Sequence, residues 1–251
     1  LLHMEIVQER LEREYGMDLV LTTPSVVFQV TTQQGSLVEV HRPNDLPSPS
    51  TVRAVAEPFV NAVILCPAES VGALMDLATQ KRGRYRSTEY LSETRVKLVY
   101  EMPLAEILVD FYDRLKSLTR GYGSFDYELI DARPAKLVRL DILLNGKICE
   151  PLSSIVPHAQ SYEKGKALVE RLKTLIPQQL FEVAIQAAVG SHVIARESVR
   201  ALAKHVTSKC YGGDITRKRK LWERQAEGKK RMKQVGNVEI PQEAFLAVLR
   251  I

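Results

Sequence analysis

Residues 96–129 read VKLVYEMPLAEILVDFYDRLKSLTRGYGSFDYEL, and this stretch carries the clearest structural pattern in the chain. Apolar residues alternate over 96–100 and again over 125–129, and this period of two predicts strands. Between the strands, apolar residues recur at i, i+3, i+4, i+7, i+11 and i+14. This spacing predicts one helix, which Pro103 opens and Gly121 ends. The stretch is therefore a predicted strand–helix–strand unit.

The residues before this stretch supply the other half of the unit. An apolar strand is predicted at Val55–Leu65, a helix begins at Pro67 and ends at Gly83, and a second strand covers Arg84–Leu91. The complete order is β-α-β-β-α-β, which is the order of a ferredoxin-like fold. The chain is therefore predicted to be an α+β protein with a ferredoxin-like domain at residues 52–135.

The first 51 residues are predicted to be a partial unit followed by a linker. One helix and three short strands are the remnant of a second ferredoxin-like unit whose leading strand is absent. Three prolines within residues 43–51 cannot continue a helix or a sheet, so this segment is a predicted linker. Because a helical pattern is present from the first residues, the chain is expected to be a fragment. The predicted elements are the helix Met4–Tyr15 and strands at Asp18–Thr22, at Ser25–Thr32 and around Val38 and Val40.

From Leu137 onward the pattern changes, which predicts a separate mixed α+β domain at residues 136–251 with a basic loop or helix. Asn145-Gly146 is a favoured type I′ turn between two strands. The predicted elements are strands at 140–144, 147–152 and 181–185, a helix around 168–175, a short helix that Ser198 starts and that carries Val199, Leu202 and Val206, and a closing helix at 240–249.

The composition excludes several classes of protein. The 251 residues are 45% hydrophobic and 26% charged, which is typical of a globular chain. The longest apolar run is six residues, whereas a membrane-spanning helix needs about 20. No basic region followed by an apolar run is present at the start, so no signal peptide is predicted. Cys66, Cys149 and Cys210 are far apart and are expected to be reduced thiols of a cytoplasmic protein.

Common catalytic motifs are missing from the sequence. The phosphate-binding pattern GxxxxGK[ST] does not occur, and neither do the HExxH and GxSxG patterns. The five histidines form no pair with metal-ligand spacing. No catalytic residue or metal ligand is therefore predicted, and this chain alone is not expected to turn over GTP or ATP through a P-loop.

The positive charge of the chain is concentrated in one segment. Residues 204–233 contain eleven basic and three acidic residues, a net charge of +8, whereas the whole chain carries +5. Three acids cannot neutralise eleven bases, so a self-paired, solvated helix face is the weaker interpretation. The favoured partner is RNA, since no helix module for the DNA major groove is visible. An anionic membrane surface, or a scaffold role based on the same charges, is the alternative.

A family resemblance rests on this segment and on residues throughout the chain. The segments Lys209–Leu221, Glu227–Lys233 and Val238–Phe245 resemble the C-terminal signature of the LepA family, also called elongation factor four. The further segments Leu2–Leu11, Asp113–Ser117 and Thr119–Tyr127 are similar to the third domain of that family and to the domain that it shares with elongation factor G.

The resemblance implies a domain organisation and a function. Residues 1–42 would be the end of the third domain, 52–135 the elongation-factor-G-like domain and 136–251 the LepA-specific domain. The family is a ribosome-dependent GTPase with a debated role in back-translocation, fidelity or ribosome biogenesis. Its GTP and Mg²⁺ would bind in an N-terminal domain, and no cofactor is expected in this chain. A monomer is expected, in the cytoplasm or peripheral on the cytoplasmic face of the membrane, with a bacterial and an organellar source both open.

The implied partners are ribosomal RNA and tRNA, bound mostly through their phosphates. The tetrad Arg217 to Lys220 is predicted to make the main contacts. Two aromatic residues are candidates for stacking on a base or ribose, with burial in the core as the alternative. The predicted RNA-binding residues are Lys209, Arg217, Lys218, Arg219, Lys220, Lys229, Lys230, Arg231, Lys233, Arg196, Arg200 and Lys204, and the stacking candidates are Tyr211 and Trp222.

Overall fold

Two antiparallel sheets with packed helices form the described part of the chain in the computed structural model. The structure describes residues 2–17, 19, 26–202, 206–207, 215–235, 238, 240–241 and 244–245. The elements up to the end of the first sheet are α1 (Leu2–Tyr15), β1 (Phe28–Thr32), β2 (Leu37–Val40), β3 (Val52–Pro67), α2 (Val71–Gln80), β4 (Arg84–Tyr90), β5 (Arg95–Pro103), α3 (Leu104–Ile107), α4 (Phe111–Leu118) and β6 (Ser124–Ala135).

The strands β6, β3, β5 and β4 lie side by side in that order, and each pair is antiparallel. Numbered within the unit, this order is 4-1-3-2, as expected of the β-α-β-β-α-β pattern. Helices α2 and α4 cover one face, where Leu74 and Phe111 pack among buried strand residues such as Ile64 and Leu98. The predicted α+β class with a ferredoxin-like unit is confirmed.

The hairpin β1–β2 extends the same sheet. The first half of β3 pairs with β1, with Val55 opposite Val30, while its second half pairs with β5. The strand predicted at Ser25–Thr32 begins only at Phe28. Apart from Leu19, the strand predicted at Asp18–Thr22 lies outside the described residues.

One predicted helix is divided in two. The sequence predicts a continuous helix between Pro103 and Gly121, but the structure has α3 and α4 with a break at 108–110. Glu106 in α3 is held by Arg82, and Phe111 begins α4 fully buried against the sheet. The break lets both side chains reach the sheet side, which a continuous helical register would not allow.

The second sheet has the order β11-β10-β7-β8, with β9 paired to β7. Helix α5 packs on it, and the core includes Leu168 and Leu172 of α5 with Ile142 and Ile185 of the strands. The elements of this part are β7 (Leu137–Leu144), β8 (Lys147–Ile148), β9 (Ser154–Pro157), α5 (Ser161–Leu175), β10 (Val183–Val189), β11 (His192–Val199) and α6 (Ile215–Val235).

The predicted turn at Asn145-Gly146 is confirmed, since both residues have positive φ, 51° and 82°. The strand predicted over 147–152 is too long: it stops at Ile148, and a 3₁₀ turn over Glu150–Leu152 follows. Pro151 explains this end, because it has no N–H to donate to a neighbouring strand.

The prediction of a short helix that starts at Ser198 is wrong. Residues 192–199 form strand β11, which pairs with β10 along its length and places Val199 opposite Val183. The ladder of hydrogen bonds to β10 outweighs the helical spacing of Val199, Leu202 and Val206. Arg196 and Arg200 therefore do not extend a helical basic surface: Arg196 lies in β11, and Arg200 follows its end.

Candidate nucleic-acid interface

Helix α6 is the most strongly charged element of the structure described. It has 21 residues and a length of about 30 Å. Nine of its residues are basic and two, Glu223 and Glu227, are acidic, which gives a net charge of +7. Six of the nine basic residues are exposed and three are half-buried. The helix therefore presents a long positively charged surface to solvent.

Seven of the nine basic residues fall into two stripes along the helix, and the other two, Arg219 and Lys230, lie between the stripes. The first stripe contains Arg217, Lys220, Arg224 and Arg231, at i, i+3, i+7 and i+14, and all four are exposed. Helical positions with this spacing share one face. Within the described chain, the first three of these side chains have no carboxylate within ion-pair distance. Their charges are thus available to an external polyanion.

The second stripe contains an aromatic ring among cations. Lys218, Trp222, Lys229 and Lys233 follow at i, i+4, i+11 and i+15 and lie about 150° around the helix from the first stripe. The three lysines are half-buried, and Trp222 is 56% exposed. The alternative prediction, that Trp222 is buried in the core, is therefore wrong. Its ring is accessible for stacking. A cationic surface with an exposed aromatic ring suits single-stranded or looped nucleic acid.

The acids of α6 neutralise only a small part of its charge. Arg219 pairs with Glu223 at 3.1 Å and Arg231 pairs with Glu227 at 2.6 Å, each across one helical turn. Exposed pairs of this kind stabilise a helix by only about 0.3–0.5 kcal/mol. An incoming phosphate can exchange with such partners at little cost.

The predicted RNA-binding residues do not all fall on this helix. Arg217, Lys218, Arg219, Lys220, Lys229, Lys230, Arg231 and Lys233 are brought together on α6. Lys204, Lys209 and Tyr211 lie outside the described residues. Arg224 is not among the predicted RNA-binding residues, although its place in the first stripe follows from the spacing Arg217, Lys220, Arg224.

A second group of charges lies between the two sheets. Arg82 donates from its two Nη atoms to the carboxylate of Glu57, at 2.7 and 3.0 Å, and from Nε to Glu106 at 2.9 Å. Glu57 and Glu106 are 1% and 8% exposed. Lys164 of α5 approaches Glu106 at 3.9 Å, so the network connects both sheets. Burial lowers the pKa of Lys164, against the attraction of Glu106.

A cavity of about 470 Å³ adjoins this network. Its walls come from β1, from the α2–β4 turn and α3, and from the segment around β9. Positively and negatively charged side chains line it in equal number, so its charge favours neither an anion nor a cation. Among the residues described, no group of three or more His, Cys, Asp or Glu side chains is placed to hold a metal ion.

No helix found among the described residues has the length and apolar character needed to cross a membrane.

Comparisons with known proteins match two family models to successive parts of the chain. The family model described as elongation factor G C-terminus matches residues 54–143, and that described as GTP-binding protein LepA C-terminus matches residues 144–250. Proteins named elongation factor 4 from Clostridium botulinum (strain 657 / Type Ba4) and from Desulforudis audaxviator are 56% and 57% identical over 250 and 251 residues. These matches cover 100% of this chain and 42% of each relative, so the chain spans less than half of their length.

A crystal structure of a protein from Thermus thermophilus is 29% identical over 33% of this chain and 12% of the other, with a TM-score of 0.31.

The ferredoxin-like unit followed by the sheet and basic helix defines the C-terminal part of a translational elongation factor. Within that class, the order of the two matched domains and the similarity over the full chain settle the family. The chain belongs to the LepA family, whose curated members carry the name elongation factor 4.

Proposed function

We propose that this chain is the part of a LepA-type factor that engages the ribosome, and that α6 binds the phosphates of ribosomal RNA and tRNA. The observation that carries the proposal is the surface of α6, with nine basic and two acidic residues in 21 positions. Most phosphate contacts fix position rather than read sequence. The role of the helix is therefore to hold RNA in place, not to select a sequence.

The two stripes give this proposal a specific geometry. Because they lie on roughly opposite sides of α6, one RNA strand cannot contact both along the length of the helix. The helix is proposed to lie between two RNA segments. The second stripe, which contains Trp222, faces the segment with unstacked bases, and the first stripe faces a continuous phosphate backbone.

Two matched variants separate the stripes. One changes Arg217, Lys220 and Arg224 to Gln, the other changes Lys218, Lys229 and Lys233 to Gln, so each removes three charges from the same helix. The proposal predicts that both variants bind labelled tRNA and a ribosomal RNA hairpin more weakly, but with different relative losses for the two RNAs. Equal affinity of wild type and both variants for both RNAs would overturn the proposal.

GTP hydrolysis is proposed to belong to parts of the protein outside residues 1–251. This chain spans 42% of the length of its relatives, and its sequence contains no P-loop pattern. The purified chain is expected to release no phosphate from GTP above the buffer rate, with or without ribosomes. Turnover that persists after repeated purification would show a nucleotide site that this proposal does not include.

A further inference from the structure

The junction between the ferredoxin-like unit and the second sheet contains a charged pair whose hydrogen-bonding capacity is not used. Lys164 of α5 and Glu106 of α3 approach each other only to 3.9 Å, between Nζ and Oε1, which is too long for a hydrogen bond. Among the residues described, Nζ of Lys164 donates no hydrogen bond and Oε2 of Glu106 accepts none. Both residues line the cavity of about 470 Å³ at this junction, which we name the large cavity.

A second cavity, of about 260 Å³, adjoins the same pair, and we name it the small cavity. Lys81, Glu106 and Lys164 line both cavities. The wall of the small cavity also contains Gln160, whose side-chain oxygen Oε1 is buried and has no hydrogen-bond partner in the part of the chain that the structure describes. Buried polar atoms nearly always have a partner in folded proteins, so this oxygen marks a place for a donor that these residues do not supply.

One face of α5 connects the two cavities. Gln160, Lys164 and Leu168 follow at i, i+4 and i+8, so they lie in a row along the helix. Gln160 lines the small cavity, Leu168 lines the large cavity, and Lys164 lines both. Along this row the surface changes from an uncharged acceptor to a cation and then to an apolar side chain.

The electrostatic surroundings of Lys164 favour an added carboxylate. Burial lowers the pKa of Lys164, and the attraction of Glu106 does not outweigh this effect. The neighbouring cations already have their own partners, since Lys81 pairs with Asp110 and Arg82 pairs with Glu106. Lys164 is therefore a cation that lacks a carboxylate of its own among the residues of this network.

The large cavity has the size and the apolar walls of a small-molecule site. Its volume lies within the range of about 300–1,000 Å³ that is typical of such sites. Val26 and Phe28 line it from the segment around β1, and Ile155 and Leu168 line it from the second sheet and α5. Because its charges of both signs balance, a ligand that carries one charge of each sign and an apolar body is the best match.

We infer that this junction binds a small zwitterion with an apolar body, namely a free α-amino acid with an apolar side chain. The carboxylate of the ligand accepts hydrogen bonds from Nζ of Lys164. Its ammonium donates to Oε2 of Glu106 and to Oε1 of Gln160, and its side chain lies in the large cavity beside Leu168. The inference does not rest on the proposed function, because it involves neither RNA nor any residue of α6.

Isothermal titration of the whole chain with L-phenylalanine and with L-leucine tests the inference. Saturable binding of at least one of them is expected, with a dissociation constant below about 1 mM. The N-acetyl derivative of the bound amino acid lacks the ammonium, and its amide lacks the carboxylate. Each derivative is expected to bind at least about tenfold more weakly, because a hydrogen bond to a charged group is lost. No saturable binding of either amino acid, or equal affinity for the amino acid and both derivatives, would overturn the inference.

Two pairs of variants locate the site. Lys164→Gln is expected to weaken binding at least about tenfold, whereas Lys166→Gln, at an exposed position of the same helix, is expected to keep the wild-type affinity. Val109 is 40% exposed and lines the large cavity, so Val109→Trp is expected to fill the cavity and abolish binding. Leu108→Trp places the same ring at the adjacent position, which is 37% exposed and does not line the cavity, and is expected to change nothing.

Melting temperatures show which variants are folded, and if Lys164→Gln does not fold, Val109→Trp decides. Wild-type affinity in both of these variants would overturn the inference, as would an equal loss in each variant and its control. The α6 stripe variants are expected to bind the amino acid as wild type does. Amino-acid binding and RNA binding by α6 can therefore fail separately.

Discussion

Arg82 shows how much can depend on one side chain. Its guanidinium is the partner of two buried carboxylates, Glu57 and Glu106. It does this from a left-handed backbone conformation, with φ 56°. Desolvation acts to lower the pKa of Arg82, but its bonds to Glu57 and Glu106 outweigh this effect and raise it. The residue is thus fully charged at any physiological pH.

Arg82→Ala is expected to destabilise the fold by about 3–5 kcal/mol, because buried Glu57 loses its partner and buried Glu106 is left with Lys164 at 3.9 Å. Chemical unfolding followed by circular dichroism measures this loss. Arg114→Ala removes the same type of side chain from an exposed position and is expected to cost below about 1 kcal/mol. The triple change Arg82→Ala, Glu57→Gln, Glu106→Gln removes the unpaired charges and is expected to recover part of the loss. A similar, small effect for both arginines would contradict the role given to this network.

Glu101 makes the stability depend on pH. It accepts hydrogen bonds from Arg133 and from Arg86, and these two arginines hold the pKa of Glu101 below its ordinary value of 4.5. A carboxyl whose pKa is lowered in the folded state stabilises the fold at pH values above its unfolded-state pKa. This contribution is lost as the pH falls through the folded-state pKa.

Glu101→Gln is therefore expected to lower the free energy of unfolding at pH 7, and the difference from wild type should shrink as the pH falls below 4.5. Urea unfolding across the acid range measures this. Glu128→Gln is the control, since Glu128 lies in the same cross-strand row and has no ion-pair partner among the residues described. A difference between wild type and Glu101→Gln that does not change with pH would contradict this explanation.

Helix α6 contains a residue that lowers its helical stability. Gly228 lies in the second half of the helix, and a Cβ added there would have no heavy atom within 4 Å. A glycine inside a helix costs about 0.8–1.0 kcal/mol relative to alanine. Like charges that repel each other along the helix add to this cost.

Gly228→Ala is expected to slow hydrogen exchange of the α6 amides and to leave RNA binding unchanged or stronger, because the helix is ordered before the RNA arrives. Gly123→Ala is the contrasting change. Its Cβ would lie 2.7 Å from the Thr119 hydroxyl oxygen, so this variant is expected to lower the melting temperature. Faster exchange in Gly228→Ala would show that the glycine is required by the conformation of α6.

Elements with a strong local signal were predictable, and elements that depend on distant partners were not. The turn at Asn145-Gly146 is specified by the two residues that adopt positive φ. Strand β11 is specified by its pairing with β10, which no local pattern reveals. The break between α3 and α4 accompanies a hydrogen bond from Arg82 to Glu106, a contact between residues more than twenty positions apart that the local pattern does not reveal.

The candidate site was predictable as a charge pattern but not as a surface. The count of basic residues identified the segment around α6, and the helical spacing then placed Arg224 beside Arg217 and Lys220. Exposure of Trp222 could not be read from the sequence, since a tryptophan at this position is as compatible with a core.

At the scale of the whole molecule, the described residues form two folded units, each built on its own sheet. In the chain, α6 follows the strands of the second sheet. The contact of Lys164 with Glu106 joins the two units beside the cavity. The relative position of the two units therefore depends on this junction, so binding should be measured on the whole chain.

The most direct measurement is co-sedimentation of the whole chain with ribosomes, vacant and loaded with tRNA, at rising salt. Wild type is compared with the first-stripe variant, in which Arg217, Lys220 and Arg224 are Gln. If these side chains contact phosphates, binding weakens steeply with salt, and the slope of log affinity against log salt is smaller for the variant by about 2–3. Equal slopes and affinities would contradict phosphate binding by α6 and leave an anionic membrane surface, tested by vesicle flotation, as the partner of its charge.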